Sequence, residues 1–180
     1  MKEQGTLLIG PSPHLMGKNL GQFIDSFDTV VRMNNALAIG NNIDYGSKTD
    51  ILVVNDLWQK NNPILTKKYE TTLNFKLVKK QQILQNYNPF YLEEPYHTAC
   101  NHNLGVLSCL YLIQNNYSHI YLIGYSFYKT DKFYVKNYWQ EGADINQPKH
   151  SQDSTIKALK TLQTKNYLGF GPDVEYYINL

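Results

Sequence analysis

The stretch Phe27-Asp28-Thr29-Val30-Val31-Arg32-Met33-Asn34-Asn35, continued by Ile43-Asp44-Tyr45-Gly46-Ser47-Lys48-Thr49-Asp50-Ile51, decides the reading of this chain. Thr29 to Met33 is an apolar, β-branched run that suits a strand buried on both faces. It runs out into the polar pair Asn34 and Asn35. A Gly-Ser-Lys-Thr turn then leads straight into a second such run, Ile51 to Val54. Arg32 is the single arginine in the sequence. A lone arginine on a strand ordinarily pairs with a carboxylate or lays its stem along apolar surface. Here its expected task is to support the strand end.

Working outward, Thr6 to Ile9 reads as a short apolar strand ending in Gly10-Pro11-Ser12-Pro13, with a helix from about Gly17 to Ile24 after it. Phe75 to Val78 is a fourth strand candidate. The polar and aromatic segment that follows, about 81–98, shows no clear period and reads as a lid or an insertion. Leu104 to Asn115 is the best helix, with Val106, Leu107, Leu110, Tyr111 and Ile113 on a wide apolar face. Ile120 to Ile123 is a strand ending at Gly124. Ser151 to Gln163 is a second good helix, with Ser151 as N-cap and Ile156, Leu159 and Leu162 on one face. Strands alternating with helices predict an α/β fold, a single Rossmann-like doubly wound and mainly parallel sheet. With 180 residues and no internal repeat, the whole of 1–180 is expected to be one domain.

Composition narrows the function classes. A net charge of +2 indicates no strongly charged partner. The pairs Lys67-Lys68 and Lys79-Lys80 read as solvated faces, with weak attraction to an anionic membrane as the minority reading. No basic stretch interleaves with aromatics, so a nucleic-acid partner is set aside. The chain opens Met1-Lys2-Glu3-Gln4 and enters a strand at once. With no signal peptide and no apolar run long enough to span a bilayer, it is expected to be cytoplasmic, with at most peripheral membrane contact. Cys100 and Cys109 are accordingly expected to be free thiols. His97, Cys100, His102 and Cys109 form the one cluster of metal-ligand types. Their spacing matches no zinc pattern, so a structural role is expected.

In a doubly wound sheet, ligands bind beyond the carboxyl ends of the strands. Those ends are Gly10 to Ser12, Asn34, Asn55, and Tyr125 to Tyr128, all polar or glycine-bearing. Gly10-Pro11-Ser12 lets backbone approach a phosphate or a ribose. Asn34 and Asn55 offer both donor and acceptor, as a cytosine edge or a ribose requires. The plainer alternative is an asparagine that turns its own backbone. His150 precedes the Ser151 helix in Lys149-His150-Ser151-Gln152-Asp153-Ser154-Thr155-Ile156-Lys157-Ala158-Leu159. An imidazole with ordinary pKa of about 6.5 suits removal of a hydroxyl proton, and a helix N-terminus disfavours its charged form. The plainer alternative is a surface histidine in a loop.

The blocks V-V-R-M-N…D-Y-G-S-K-T-D and Asn103-Leu104-Gly105-Val106…Ile123-Gly124-Tyr125-Ser126-Phe127-Tyr128 resemble the large and small sialyl motifs of the sialyltransferases. The likeness extends to both the animal type (glycosyltransferase family 29) and the bacterial type (family 42), from about Thr6 to Thr164. It implies that Gly10, Ser12, Asn34, Asn55, Asn103 and Gly105 bind the donor. Tyr128 and Tyr134 match two tyrosines that hold the donor phosphate in the bacterial enzymes. His150, within a stretch similar to their H-S-x-x-x-x-I-K-A-L, matches the general base.

The implied activity is an inverting, metal-independent transfer of sialic acid from CMP-sialic acid to a glycan or glycolipid hydroxyl. Cofactors are expected to be none, the CMP-sugar being a substrate. No Asp-x-Asp follows a strand, and Asp173-Val174-Glu175, the nearest approach, comes late in the chain. Several departures from the motifs qualify the resemblance. Ile9 replaces an asparagine, and Asn103 and Leu104 replace hydroxyl residues. The paired motif cysteines of animal members are not matched, and the chain is expected to lack their N-terminal anchor and the membrane-associating C-terminal extension of bacterial members. A CMP-Kdo transferase and an inactive CMP-sugar-binding relative are therefore the alternatives, and 81–98 would lie on the acceptor side.

Overall fold

Four consecutive residues without a polar side chain to solvent, as in Thr6–Ile9, leave a backbone whose hydrogen bonds must be met by neighbouring strands. In a computed structural model this segment is β1, wholly buried near the middle of a six-stranded sheet. The structure describes residues 5–34, 40–54, 104–129 and 152–180 in full, and the backbone of 72–74. The remaining strands are β2 (Thr29–Met33), β3 (Ile51–Val54), β4 (Thr72–Asn74), β5 (Ile120–Ile123) and β6 (Leu168–Phe170). Their order is β4-β3-β2-β1-β5-β6, and every pairing is parallel.

The helices among the described residues are α1 (Gly21–Asp25), α2 (Asn42–Tyr45), α3 (Leu104–Gln114), α4 (Gln152–Thr164) and α5 (Pro172–Ile178), with a 3-10 turn at Pro13–Leu15. Two cores flank the sheet. On one side α3, α4 and α5 pack over Leu8, Val31, Val53 and Leu122. On the other, Leu15, Ile24, Phe27 and Tyr45 cover Leu7, Ile9, Val30 and Ile123. Adjacent residues of β1 thus serve opposite cores, as the alternation of a strand requires. α3 is buried almost all round over its first nine residues, because it lies between the sheet and α4. That accounts for a helix with so little polar face.

Four strands coincide with the runs read from sequence. The first helix does not. Its predicted start, Gly17, has φ of +76° and Asn19 has φ of +54°, values foreign to a right-handed helix. The chain holds this shape because the buried Asp44 carboxylate, on α2, accepts from the N–H groups of Gly17 and Asn19, at 2.8 Å each. A contact 25 or more residues away in sequence overrides the local signal. The fourth strand falls at Thr72–Asn74, where Val54 pairs with Asn74; Phe75 to Val78 lie outside the described residues. Also outside them lie the segment 81–98 and the Ser151 cap.

Arg32 does support the strand end, through hydrogen bonds to backbone carbonyls. Its Nε donates to Lys48 O at 2.9 Å and its Nη2 to Tyr45 O at 2.6 Å, with the residue 3% exposed. The Gly-Ser-Lys-Thr turn is clamped from the other side. Asp25 accepts from the backbone N–H groups of Ser47 and Lys48, at 2.9 Å. The turn sits at the amino end of β3, the edge of the sheet away from the ligand-binding ends. Its glycine-serine-lysine composition therefore serves architecture.

Candidate active site

Strand order reverses direction between β1 and β5: β2, β3 and β4 build outward on one side of β1, β5 and β6 on the other. Connections leave this pair toward opposite sides, so a crevice opens beyond their carboxyl ends. The sequence-derived residues Gly10 and Ser12 follow β1, Asn34 follows β2, and Tyr128 follows β5. α3 ends at Gln114 and the chain then enters β5, so its N-terminus, with Gly105, faces back toward the same edge of the sheet. The fold thus brings five of the nine site residues to one edge. Asn55, Asn103, Tyr134 and His150 lie outside the described residues.

The two strand ends touch more closely than side chains allow. Gly10 N donates to Ile123 O at 2.8 Å, and a Cβ on Gly10 would stand 2.2 Å from Gly124 O. Gly124 has φ of +76°, and a Cβ there would lie 2.6 Å from Gly10 O. The close contact with Gly124 is by itself enough to require glycine at position 10. Tyr125 lies over this junction. Its Cδ2 is 3.0 Å from the Cβ position of Gly10, and its hydroxyl reaches Met33 Sδ at 3.7 Å, beyond β1 at the end of β2.

Backbone strain concentrates here as well. Asn34 has φ of +46°, Phe127 +52° and Tyr128 +60°. Asparagine tolerates the left-handed region, whereas two successive aromatics there cost on the order of 1–2 kcal/mol each. Phe127 is 6% exposed and stacks on Tyr125 at 6.4 Å. Its burial holds the turn and thereby sets where Tyr128 stands, partly buried against Leu7, Ile9 and their neighbours. Asn34 is itself buried, and its left-handed backbone shows that it also turns the chain.

Ser12 is bonded through both of its backbone polar groups. Its N–H donates to Gly124 O at 3.1 Å, and its carbonyl accepts from Tyr45 Oη at 2.7 Å. Its Oγ lies 2.7 Å from His14 Nδ1, and His14 Nε2 lies 2.8 Å from Asp173 Oδ2. The same Asp173 oxygen accepts from Gly124 N at 2.7 Å. The His14 ring packs on Tyr177 at 4.8 Å. Burial, then the Tyr176 and Asp173 charges, push the Tyr177 phenol up, and burial and Asp44 do the same to Tyr45, so both stay protonated. Sequence reasoning weighed Asp173 solely as part of a metal motif and did not single out His14. The two are 159 residues apart and carry no shared local signal.

Cys109, on α3, is a fully buried free thiol, as expected, and burial pushes its pKa up. Cys100 lies outside the described residues.

The family model described as glycosyltransferase family 29 (sialyltransferase) matches residues 7–173. The chain belongs to glycosyltransferase family 29. The match runs from within β1 to the start of α5 and embraces Ser12, His14 and Asp173 together. This sialyltransferase-like chain is also similar in fold to the sialyltransferase CstII from Campylobacter jejuni, in complex with cytidine-5′-monophosphate. The two share 18% identity over 96% of this chain and 86% of that one, with a TM-score of 0.55. A mammalian sialyltransferase is similar at 18% identity over 93% of this chain and 68% of that one, with a TM-score of 0.56. No curated protein sequence matches. At such identity the structural likeness establishes the α/β sialyltransferase fold. Among the described residues, no helix of this glycosyltransferase is long and apolar enough to cross a membrane.

Proposed function

We propose that this glycosyltransferase moves sialic acid from CMP-sialic acid to a hydroxyl of a glycan or glycolipid, with inversion and without a metal. The observation that carries the reading is the convergence of Ser12, Asn34 and Tyr128 at the β1/β5 switch point of a family 29 fold. The known structures support the two partners. CstII is seen with CMP and a trisaccharide acceptor, and a mammalian sialyltransferase with Gal-beta-1-3GalNAc-ortho-nitrophenol.

The chemistry assigned to each residue follows from charge flow. His150 accepts the proton of the acceptor hydroxyl while that oxygen attacks the anomeric carbon. The bond from that carbon to the CMP phosphate breaks, and its electron pair leaves with CMP. Tyr128 and Tyr134 donate hydrogen bonds to the charge growing on the phosphate. Attack opposite to departure inverts the anomeric centre. Two phenol donors can serve one phosphate, so no metal is assigned. Asn34, Asn55, Asn103 and Gly105 orient nucleotide and sugar.

Asn103 and Leu104, standing before Gly105 where hydroxyl residues are expected, favour CMP-Kdo as the second donor reading. An inactive CMP-sugar-binding relative is the third. The test is incubation with CMP-sialic acid or CMP-Kdo and a galactose-terminated acceptor, in buffer with and without EDTA. Free CMP and product anomer are followed by NMR. Release of CMP from CMP-sialic acid, unaffected by EDTA and lost in His150→Ala, is the expected result. Release from CMP-Kdo alone overturns the sugar; binding without any release overturns the enzyme.

A further inference from the structure

We propose that His14 and Asp173 are positioning residues that hold the Ser12 hydroxyl as a hydrogen-bond acceptor toward the nucleoside part of the donor. The inference rests on the reading of this crevice as the CMP-sugar site and extends it to two residues outside the sialyl motifs.

The polarity follows link by link. The Asp173 carboxylate oxygen takes two hydrogen bonds, from Gly124 N at 2.7 Å and from His14 Nε2 at 2.8 Å. A carboxylate only accepts, so Nε2 carries the proton. In the neutral ring Nδ1 then presents a lone pair, 2.7 Å from Ser12 Oγ. The serine hydroxyl has one proton, and with the ring taken as neutral this proton goes to Nδ1. Because the Ser12 N–H and carbonyl are bonded to Gly124 and Tyr45, its remaining hydrogen-bonding group is the Oγ lone pair. A lone pair welcomes an N–H or O–H of the ligand and repels a phosphate oxygen. Ribose hydroxyls and the cytosine amine are such donors.

The relay is anchored at both ends. Asp173 is the second residue of α5, whose Val174 and Ile178 are buried in the main core. Tyr177, one turn on, packs against the imidazole, and Lys129 Nζ donates to Tyr177 O at 2.8 Å. His14 lies in the 3-10 turn whose Leu15 is 1% exposed. A histidine held so firmly from both sides fixes the serine proton in one direction. The result is a choice of ligand group, made before the ligand arrives.

The experiment measures CMP and cytidine affinity by calorimetry for the full chain and for Ser12→Ala, His14→Ala, His14→Gln and the Ser12→Ala/His14→Ala double variant. His14→Gln keeps an amide within reach of Asp173, and with it the tie to α5, but withdraws the acceptor facing Ser12. Melting curves establish that each variant is folded. The expected loss is roughly 3- to 10-fold in CMP affinity for each single variant, the size of one hydrogen bond. Cytidine should show the same ratio. The double variant should be no weaker than Ser12→Ala alone, because His14 acts through Ser12. Unchanged affinity in both His14 variants overturns the relay and leaves the donor site standing, as do additive losses or a ratio that vanishes with cytidine. Failure of the unsubstituted chain to bind CMP overturns both.

Discussion

At the scale of single residues, the crevice depends on two glycines that no side chain can replace. A methyl group on Gly10 would stand 2.2 Å from a backbone oxygen, which cannot rotate away. Gly10→Ala should therefore cost about 1–3 kcal/mol through forced separation of β1 and β5. The check is a urea titration, in which the midpoint falls while the slope is unchanged. Tyr45→Phe makes a different point. It preserves the packing of a ring 1% exposed, yet leaves the Ser12 carbonyl without its 2.7 Å donor. An expected loss of about 1–3 kcal/mol, in the same titration, distinguishes hydrogen bonding from packing at that position. Cys109 should behave as a small core residue. Its thiol, protonated and 0% exposed, should fail to react with a thiol reagent until the protein unfolds.

At the scale of elements, short helices are held by carboxylates in addition to the few hydrogen bonds of their own. α2 has four residues, too few for a helix to persist on propensity. Asp44 joins it to Gly17 and Asn19, and Asp25 joins α1 to the turn at Ser47 and Lys48. The Gly17 and Asn19 N–H groups hold the Asp44 carboxyl below the usual range. Partial burial would raise the Asp25 carboxyl, but the N–H groups of Ser47 and Lys48, the Ser47 hydroxyl and the Arg32 charge outweigh it and hold it low. A folded pKa below the unfolded value of about 3.9 adds stability above that value and loses it as pH falls through the folded pKa. The melting temperature of the natural chain should exceed that of Asp44→Asn near neutrality. The gap should narrow as pH falls below about 4, where the unfolded carboxylate takes up its proton, and close only once the lowered folded pKa has been passed. A gap that persists unchanged to pH 3 would remove charge from the explanation.

These elements show where local patterning was legible. β1, β2, β3 and β5 were readable because a strand buried on both faces is an uninterrupted apolar run. α3 and α4 were readable because long helices repeat their signal. α2, β6 and α5 passed unseen, being short and shaped by contacts distant in sequence. Gly169, for example, pairs with Tyr121 of β5, whose ring would lie 2.7 Å from a Cβ there.

At the scale of the whole molecule, α5 closes the fold at the same edge where the site opens. Val174 and Ile178 are buried, each worth about 1.5–3 kcal/mol against exposure. Removal of residues 172–180 should therefore cost several kcal/mol and lower the urea midpoint well beyond either point substitution. Far-UV circular dichroism against urea reads this directly; an unchanged midpoint would mean that α5 is an accessory.

The sequence by itself determined the α/β class, the central strands and the family, because apolar runs and motif order survive without coordinates. It also named the strand ends where ligands belong. Only the tertiary structure decided which residues meet there. The pairing of Gly10 with Gly124, the reach of Tyr125 to Met33 and the Ser12–His14–Asp173 relay join residues from distant parts of the chain. The physical reason is that periodicity records which way a side chain faces its own element. Hydrogen-bond partners across a sheet are set by strand order and register, and those come into being only when the chain has folded.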